Sequence, residues 1–292
     1  MDILFSLLIG VAMAATPLLI AATGELVTEK SGVLNLGVEG MMLVGAVCAF
    51  AAASTSGSHL LGVFAGAAGG MVMAGLFALL TLGLLANQVA TGLALTLFGV
   101  GLSALLGRGF VGHPIPAMQP MIFGLDGLVI LSLILVGFTH WLLYHSRAGL
   151  ILRSIGENPE AAHAIGYGVR KVRLAAVLYG GACSGLAGAF LSLSYTPMWA
   201  ENMTSGRGWI ALALVVFATW RPARVLLGAY LFGGITIAQL HLQGLGVSIP
   251  SQVLAMLPYL ATVAVLVLIS RDEARIKLNA PASIGKIFYP DR

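Results

Sequence analysis

The chain has 292 residues, 59% hydrophobic and 9% charged, with 15 basic against 11 acidic side chains and a mean hydropathy of +0.97. A soluble domain carries about a quarter charged residues, so these charges are too few to cover a soluble globule of 30.2 kDa. A soluble enzyme, a disulfide scaffold and a nucleic-acid binder are thereby excluded, and the fold class is an all-α polytopic membrane protein.

Nine apolar runs follow along the chain: 3–27, 33–55, 59–85, 88–107, 127–145, 172–196, 208–220, 223–241 and 253–270. A bilayer-spanning helix needs about 20 apolar residues, and the runs lack the alternation of barrel strands. The chain opens Met1-Asp2-Ile3 with no basic segment, and its first run is longer than a signal-peptide core, so it is expected to stay as a span. The seventh run is short: its 13 residues give about 20 Å of helix against a hydrocarbon core of about 30 Å. Met203-Thr204-Ser205-Gly206-Arg207-Gly208 before it is rich in breakers and caps. The pattern predicts a short helix entered through a broken segment, which membrane depth tolerates only inside protein or beside a water-filled cavity. Eight to ten spans are compatible with it.

Basic residues sort by loop. Lys30, Arg147, Arg153, Arg170, Lys171, Arg173, Arg221, Arg224, Arg271, Arg275, Lys277, Lys286 and Arg292 fall on one side of a nine-span topology, and Arg108 and Arg207 on the other. Cytoplasmic loops retain Lys and Arg, so the amino terminus is expected outside and the carboxyl terminus in the cytoplasm. Glycines at 62, 66 and 70, and at 181, 185 and 188, have the small-residue spacing that lets helices approach closely in lipid. They read as packing within one chain, with a dimerisation face as the alternative. Cys48 and Cys183 lie inside spans and read as small apolar fillers.

The gap between the fifth and sixth runs is the most informative stretch. Asn158 can cap a helix, Pro159 suits its first position, Glu160 favours its positive end, and Gly166 supplies a stop. The spacing predicts a helix of about two turns with Ala161 and Ile165 on one face and Ala162 and Ala164 keeping the rest narrow. A small-faced helix in a basic loop suits a groove on a soluble partner.

Three stretches carry a resemblance. Arg153-Ser-Ile-Gly-Glu-Asn-Pro-Glu-Ala-Ala-His-Ala-Ile-Gly166 resembles the coupling loop of ATP-binding-cassette (ABC) importer permeases of the branched-chain amino acid, ribose and simple-sugar branch. Glu29-Lys-Ser-Gly-Val-Leu-Asn-Leu-Gly-Val-Glu-Gly-Met-Met42 and Gly206-Arg-Gly-Trp-Ile-Ala-Leu-Ala213, followed by Trp220-Arg221-Pro222-Ala223, resemble nucleoside importer permeases. The resemblance implies a type II importer permease: one transmembrane domain over 1–292, with a coupling loop over about 146–171. It implies a second permease subunit, a longer paralogue, as partner. A cytoplasmic ABC ATPase and an extracellular or periplasmic substrate-binding protein complete the set. It also implies that Glu157, Asn158, Pro159, Glu160, Ala161, Ala162, Ile165 and Gly166 dock on the ATPase. The tail 271–292 matches least and receives no role. No G-x-x-x-x-G-K-[ST] phosphate loop occurs, so no cofactor is expected on this chain and ATP with magnesium belongs to the partner.

Glu39 lies in the second run, and an intramembrane ionisable residue is a functional candidate. Asn35, four residues earlier, is expected on the same helical face. The pair either lines a broken-helix route, or Glu39 sits near the cytoplasmic end and bonds a loop amide or Lys30. Asn87, Gln88, Thr91, Thr204 and Ser205 are further pathway candidates, with helix capping as the alternative. Trp199, Trp209 and Trp220 read as interfacial belt residues. His59, His113, His140, His145, His163 and His241 show no metal-ligand spacing, and no catalytic constellation is evident. The function expected is ATP-driven nucleoside import. Simple sugars or nucleobases are alternative cargoes, and an ion-coupled carrier or a passive pore are alternative classes.

Overall fold

The computed structural model describes residues 2–121, 124–244, 253, 256–270 and 279–289. Among these, each of the nine apolar runs contains a helix. Seven helices are long and apolar enough to cross a membrane, and the runs at 208–220 and 253–270 yield shorter ones. The elements are α1 (Asp2–Lys30), α2 (Val38–Ser56), α3 (His59–Ala78), α4 (Gln88–Gly107), α5 (Gly127–His145), α6 (Arg147–Glu157), α7 (Pro159–Ala164), α8 (Val169–Phe190), α9 (Arg207–Phe217), α10 (Pro222–Gly244) and α11 (Leu257–Ser270). Single π-helical turns extend α3 over Leu79–Gly83 and α8 over Leu191–Tyr195. Arg271, Arg275, Lys277 and Arg292 lie outside the described residues, so their expected side is left with the sequence.

The bundle has an inner and an outer layer. In α2, 72% of the span's apolar window is buried, against 28% in α4 and in α10. Helices α1, α2 and α8 form the inner trio, and α3, α4, α5 and α10 lie around it. Outer helices turn leucine and valine outward, as Leu97, Val72 and Leu227 show at 70–73% exposure, because lipid is as apolar as a protein core.

Packing between α2, α3 and α8 depends on missing side chains. A Cβ at Gly70 would lie 2.2 Å from the Gly181 carbonyl oxygen and 2.6 Å from the Gly185 nitrogen. The glycine stripes are therefore consumed in packing within the chain. Polar residues cap where the sequence offers them: Ser58 accepts the N–H of Leu61, Asn87 that of Ala90, and Asp126 those of Leu128 and Val129. The Ser194 hydroxyl donates to the same aspartate.

The second run is not helical from its start. Residues 33–37 form an extended segment and turn, and α2 begins only at Val38. Asn35 and Glu39 consequently do not share a helical face. Asn35 is a turn former: its Oδ1 accepts the Gly37 N–H at 2.9 Å, and its own N–H donates to Glu25 Oε1 at 3.2 Å.

Candidate functional site

The junction of two broken helices is the first element of the site. A Cβ on Gly40 would lie 2.8 Å from the Leu95 carbonyl oxygen and from Thr96 Cα. Thr96 is eight residues into the span Gln88–Phe110, or about 12 Å along it. Helix α2 therefore starts near mid-span rather than at a membrane face. Helix α9 starts at the same level, because a Cβ at Gly208 would meet Glu39 Cα at 2.6 Å. The approach to α9 is broken as the sequence predicts: Asn202, Ser205 and Gly206 all have positive φ. Arg207 thus sits at this junction and not in the outer loop expected for it.

The Glu39 carboxylate holds the junction together. Its Oε1 accepts from the Thr204 hydroxyl at 2.5 Å and from the Gly206 N–H at 2.8 Å. Its Oε2 accepts the Gly208 N–H at 2.6 Å. The first amides of a helix have no intrahelical acceptor and carry its positive dipole end, so a carboxylate there is satisfied without a basic partner. Of the two roles open to Glu39, the loop-amide role is the one this geometry displays. Lys30 is engaged elsewhere, donating to the Asn279 carbonyl at 2.6 Å.

The other pathway candidates are placed as follows. Thr204 is buried against Glu39. Gln88 is buried and accepts the Leu34 N–H at 2.8 Å, which holds the extended segment against α4. Asn87 is exposed as the α4 cap, and Thr91 is half-buried on the same helix. Of the candidates, Ser205 lines the cavity beside the junction and the other six do not.

That cavity, of about 350 Å³, opens between α1, α9, α10 and α11, with Tyr195, Ser205, Arg207, Thr236, Gln239 and Tyr259 as its polar and aromatic lining. Arg207 Nη1 donates to the Met203 and Thr204 carbonyls at 3.2 and 3.4 Å. Its guanidinium lies 5.4 Å from the centre of the Tyr195 ring, within cation–π range. The Tyr259 hydroxyl donates to the Ser205 carbonyl at 3.1 Å. Aromatic faces beside a guanidinium and an amide can stack on and hydrogen-bond to a small ring-shaped solute rich in hydrogen-bonding groups. Of this lining, the sequence pointed to a pathway role for Ser205 alone.

Two more buried carboxylates were passed over. Glu25 and Glu29 on α1 are 0% and 1% exposed. The Trp220 indole N–H donates to Glu29 Oε2 at 2.5 Å, whereas Glu25 Oε2 has no partner among the described residues. Glu25 lay inside the first apolar run, so hydropathy carried the signal. The belt reading fails for two tryptophans: Trp220 is 5% exposed, and Trp199 is 1% exposed against Ala46, Val47 and Phe50. Only Trp209, at 38%, has the exposure a belt residue needs.

The second element of the site is the loop helix. Asn158 Oδ1 accepts the Ala161 N–H at 3.0 Å, Pro159 occupies the first turn, and Gly166 stops the helix at φ +94°. The helix has six residues, shorter than the two turns expected. Glu157, Asn158, Glu160, Ala161, Ile165 and Gly166 are exposed and Pro159 is half-buried, while Ala162 is buried. Ile165 stands out at 73% exposure, an apolar peg at the tip of a basic loop.

The sequence profile of the family described as "Branched-chain amino acid transport system / permease component" matches residues 7–269. A Haloferax volcanii permease provisionally assigned to a glucose ABC transporter is 40% identical over 95% of each chain. A nucleoside ABC transporter permease of Lactococcus lactis is 32% identical over 87% of this chain and 89% of its own length. A guanosine ABC transporter permease of Bacillus subtilis is 29% identical over 93% and 94%. No solved structure gives a significant match.

Proposed function

The chain belongs to the branched-chain amino acid transport permease family, and we propose on that premise that it carries nucleosides through the membrane as one subunit of an ABC importer. The observation that carries the cargo assignment is the cavity beside the Glu39 junction, where Tyr195, Tyr259, Arg207 and Gln239 bring aromatic rings and hydrogen-bonding groups together. A nucleobase has both a π face that stacks on aromatic and guanidinium planes and polar edges. The nucleoside and guanosine permeases among the relatives support the same cargo. One observation favours a second reading: the 40% identical relative is assigned to glucose, so a sugar carried by the same machinery is the alternative.

In this reading the residues from Glu157 to Gly166 dock on a separate ATPase, which hydrolyses ATP. A substrate-binding protein delivers cargo on the opposite face, and a second permease subunit completes the membrane pair. The end of the bundle bearing Lys30, Arg153, Arg173 and Arg221 is then cytoplasmic, by the retention of basic residues there, and the amino terminus is outside.

The test is uptake into proteoliposomes holding the chain with its cognate ATPase, second permease and binding protein. ATP-dependent accumulation of labelled guanosine or uridine, with glucose left outside, is the expected result. Uptake of glucose with no nucleoside uptake overturns the cargo assignment in favour of the sugar.

A further inference from the structure

Residues 279–289, the described part of the tail without an assigned role, are built into the basic end of the bundle. Ser283 donates its N–H to the Gly156 carbonyl at 2.9 Å and its hydroxyl to the same oxygen at 2.7 Å. The Gly285 N–H donates to the Gly32 carbonyl at 3.2 Å. Phe288 is 7% exposed in a cluster with Ile155, Ala162 and Val169, its ring edge-on to His163 at 5.5 Å. The tail therefore touches the loop helix α7 on one side and the α1–α2 turn on the other.

Arg173 locks this arrangement. It is 1% exposed, and its three nitrogens tie two segments, the α1–α2 turn and the tail, to α8. Nε donates to the Ser31 carbonyl at 3.1 Å, Nη1 to the Lys286 carbonyl at 3.2 Å, and Nη2 to the Ser283 hydroxyl at 3.1 Å. Gly32 has φ +87°, and a Cβ there would fall 2.3 Å from Ser283 Oγ and 2.8 Å from Arg173 Nη2. Beyond the turn, the chain runs without interruption through Asn35 to Glu39, whose carboxylate holds α9. The links from α7 to the junction are thus packing contacts, hydrogen bonds and, over residues 33–38, the chain itself.

We infer that residues 283–288 are a transmission strut, with Phe288 gripping α7 and Arg173 positioning the tail, so that movement of α7 displaces the 31–37 segment and the Glu39 junction. This inference rests on the reading of α7 as the ATPase-docking helix. Small shifts pass along packed elements because such interfaces do not deform continuously. The Gly156 backbone already packs against the Lys30 carbonyl, where a Cβ would fall 2.2 Å away. The tail bonds to both sides of that contact, at Gly156 and at Gly32, while Arg173 ties it to the Ser31 carbonyl. A segment that merely filled space would need none of these bonds.

The test measures cargo imported per ATP hydrolysed in the complete reconstituted transporter, using the cargo the unmodified complex moves. A purely structural loss lowers the two rates together and leaves their ratio alone. Phe288→Ala is expected to lower the ratio about five-fold or more, the lower end of ordinary coupling between sites, with Phe288→Leu restoring most of it. Ser283→Ala, which keeps the backbone bond and is milder on folding, is expected to lower it in the same direction. A ratio within about two-fold of the unmodified complex in both Phe288→Ala and Ser283→Ala overturns the strut while leaving the import reading standing. Failure of the unmodified complex to import with ATP removes that reading, and the strut falls with it.

Discussion

Glu39 accepts the Gly208 N–H at 2.6 Å, so the first turn of one interrupted helix is held by a carboxylate from the first turn of another. The pairing explains how backbone broken at bilayer depth remains satisfied: donors freed by the break meet an acceptor supplied by the neighbouring break. It also makes the carboxylate hard to replace.

Glu39→Gln keeps the size of the side chain but replaces one oxygen with a donor, which then faces an N–H of Gly206 or Gly208. Hydrogen bonds to a charged group contribute about 1.5–3 kcal/mol, so a loss of about 2 kcal/mol is expected. Thr204→Val, which removes one donor, should cost less. Thermal unfolding of the purified chain in detergent reads both, and an unchanged Tm in Glu39→Gln contradicts the clamp.

Two glycines of α4 offer a matched pair. A Cβ at Gly99 would lie 2.6 Å from Gly40 Cα, whereas a Cβ at Gly101 meets nothing within 4 Å. Alanine favours a helix over glycine by about 1 kcal/mol. Gly101→Ala is therefore expected to be neutral or stabilising, and Gly99→Ala to push α2 from α4 and lower the Tm. Equal behaviour of the two variants would mean that α2 and α4 do not approach closely at mid-span.

Trp220 and Glu29 test the far end of α9. Trp220→Phe keeps most of the packing but leaves a buried carboxylate without its indole donor, at an expected cost of about 1–3 kcal/mol. In Glu29→Gln the amide oxygen still accepts from Trp220, so the loss should be smaller. A double-mutant cycle on unfolding free energies reads the coupling between the two, and a coupling of zero argues against the bond.

Local features were legible in the sequence and distant ones were not. The nine apolar runs all became helices because hydrophobicity along the chain is a local property. Asn158, Pro159 and Gly166 fixed α7 because capping acts within a few residues. The start of α2 was misplaced at Val33: the extended segment 33–37 is apolar enough to resemble a span, and only its bonds to Glu25 and Gln88 reveal it as a loop. Glu39 was visible as unusual, but its partners lie more than 160 residues away. Trp199 and Trp220 were assigned by a rule about membrane interfaces, which cannot see that a neighbouring helix buries a given indole. Residues 283–288, Ser-Ile-Gly-Lys-Ile-Phe, carry no helical periodicity or capping pattern, and Arg173 looked like one more cytoplasmic cation until its three acceptors were in place.

In the proposed importer, a soluble ATPase engages the exposed face of α7 and Ile165 at its end. Ile165→Asp should leave the Tm unchanged, because that side chain is 73% exposed, while Ala162→Leu should lower it from within the Phe288 cluster. The most direct measurement places a photoactivatable crosslinker at position 165 in the working transporter. A covalent adduct with the ATPase subunit, lost when that subunit is omitted, is the expected result. Adducts with lipid alone, in a complex that still imports its cargo, would contradict the account.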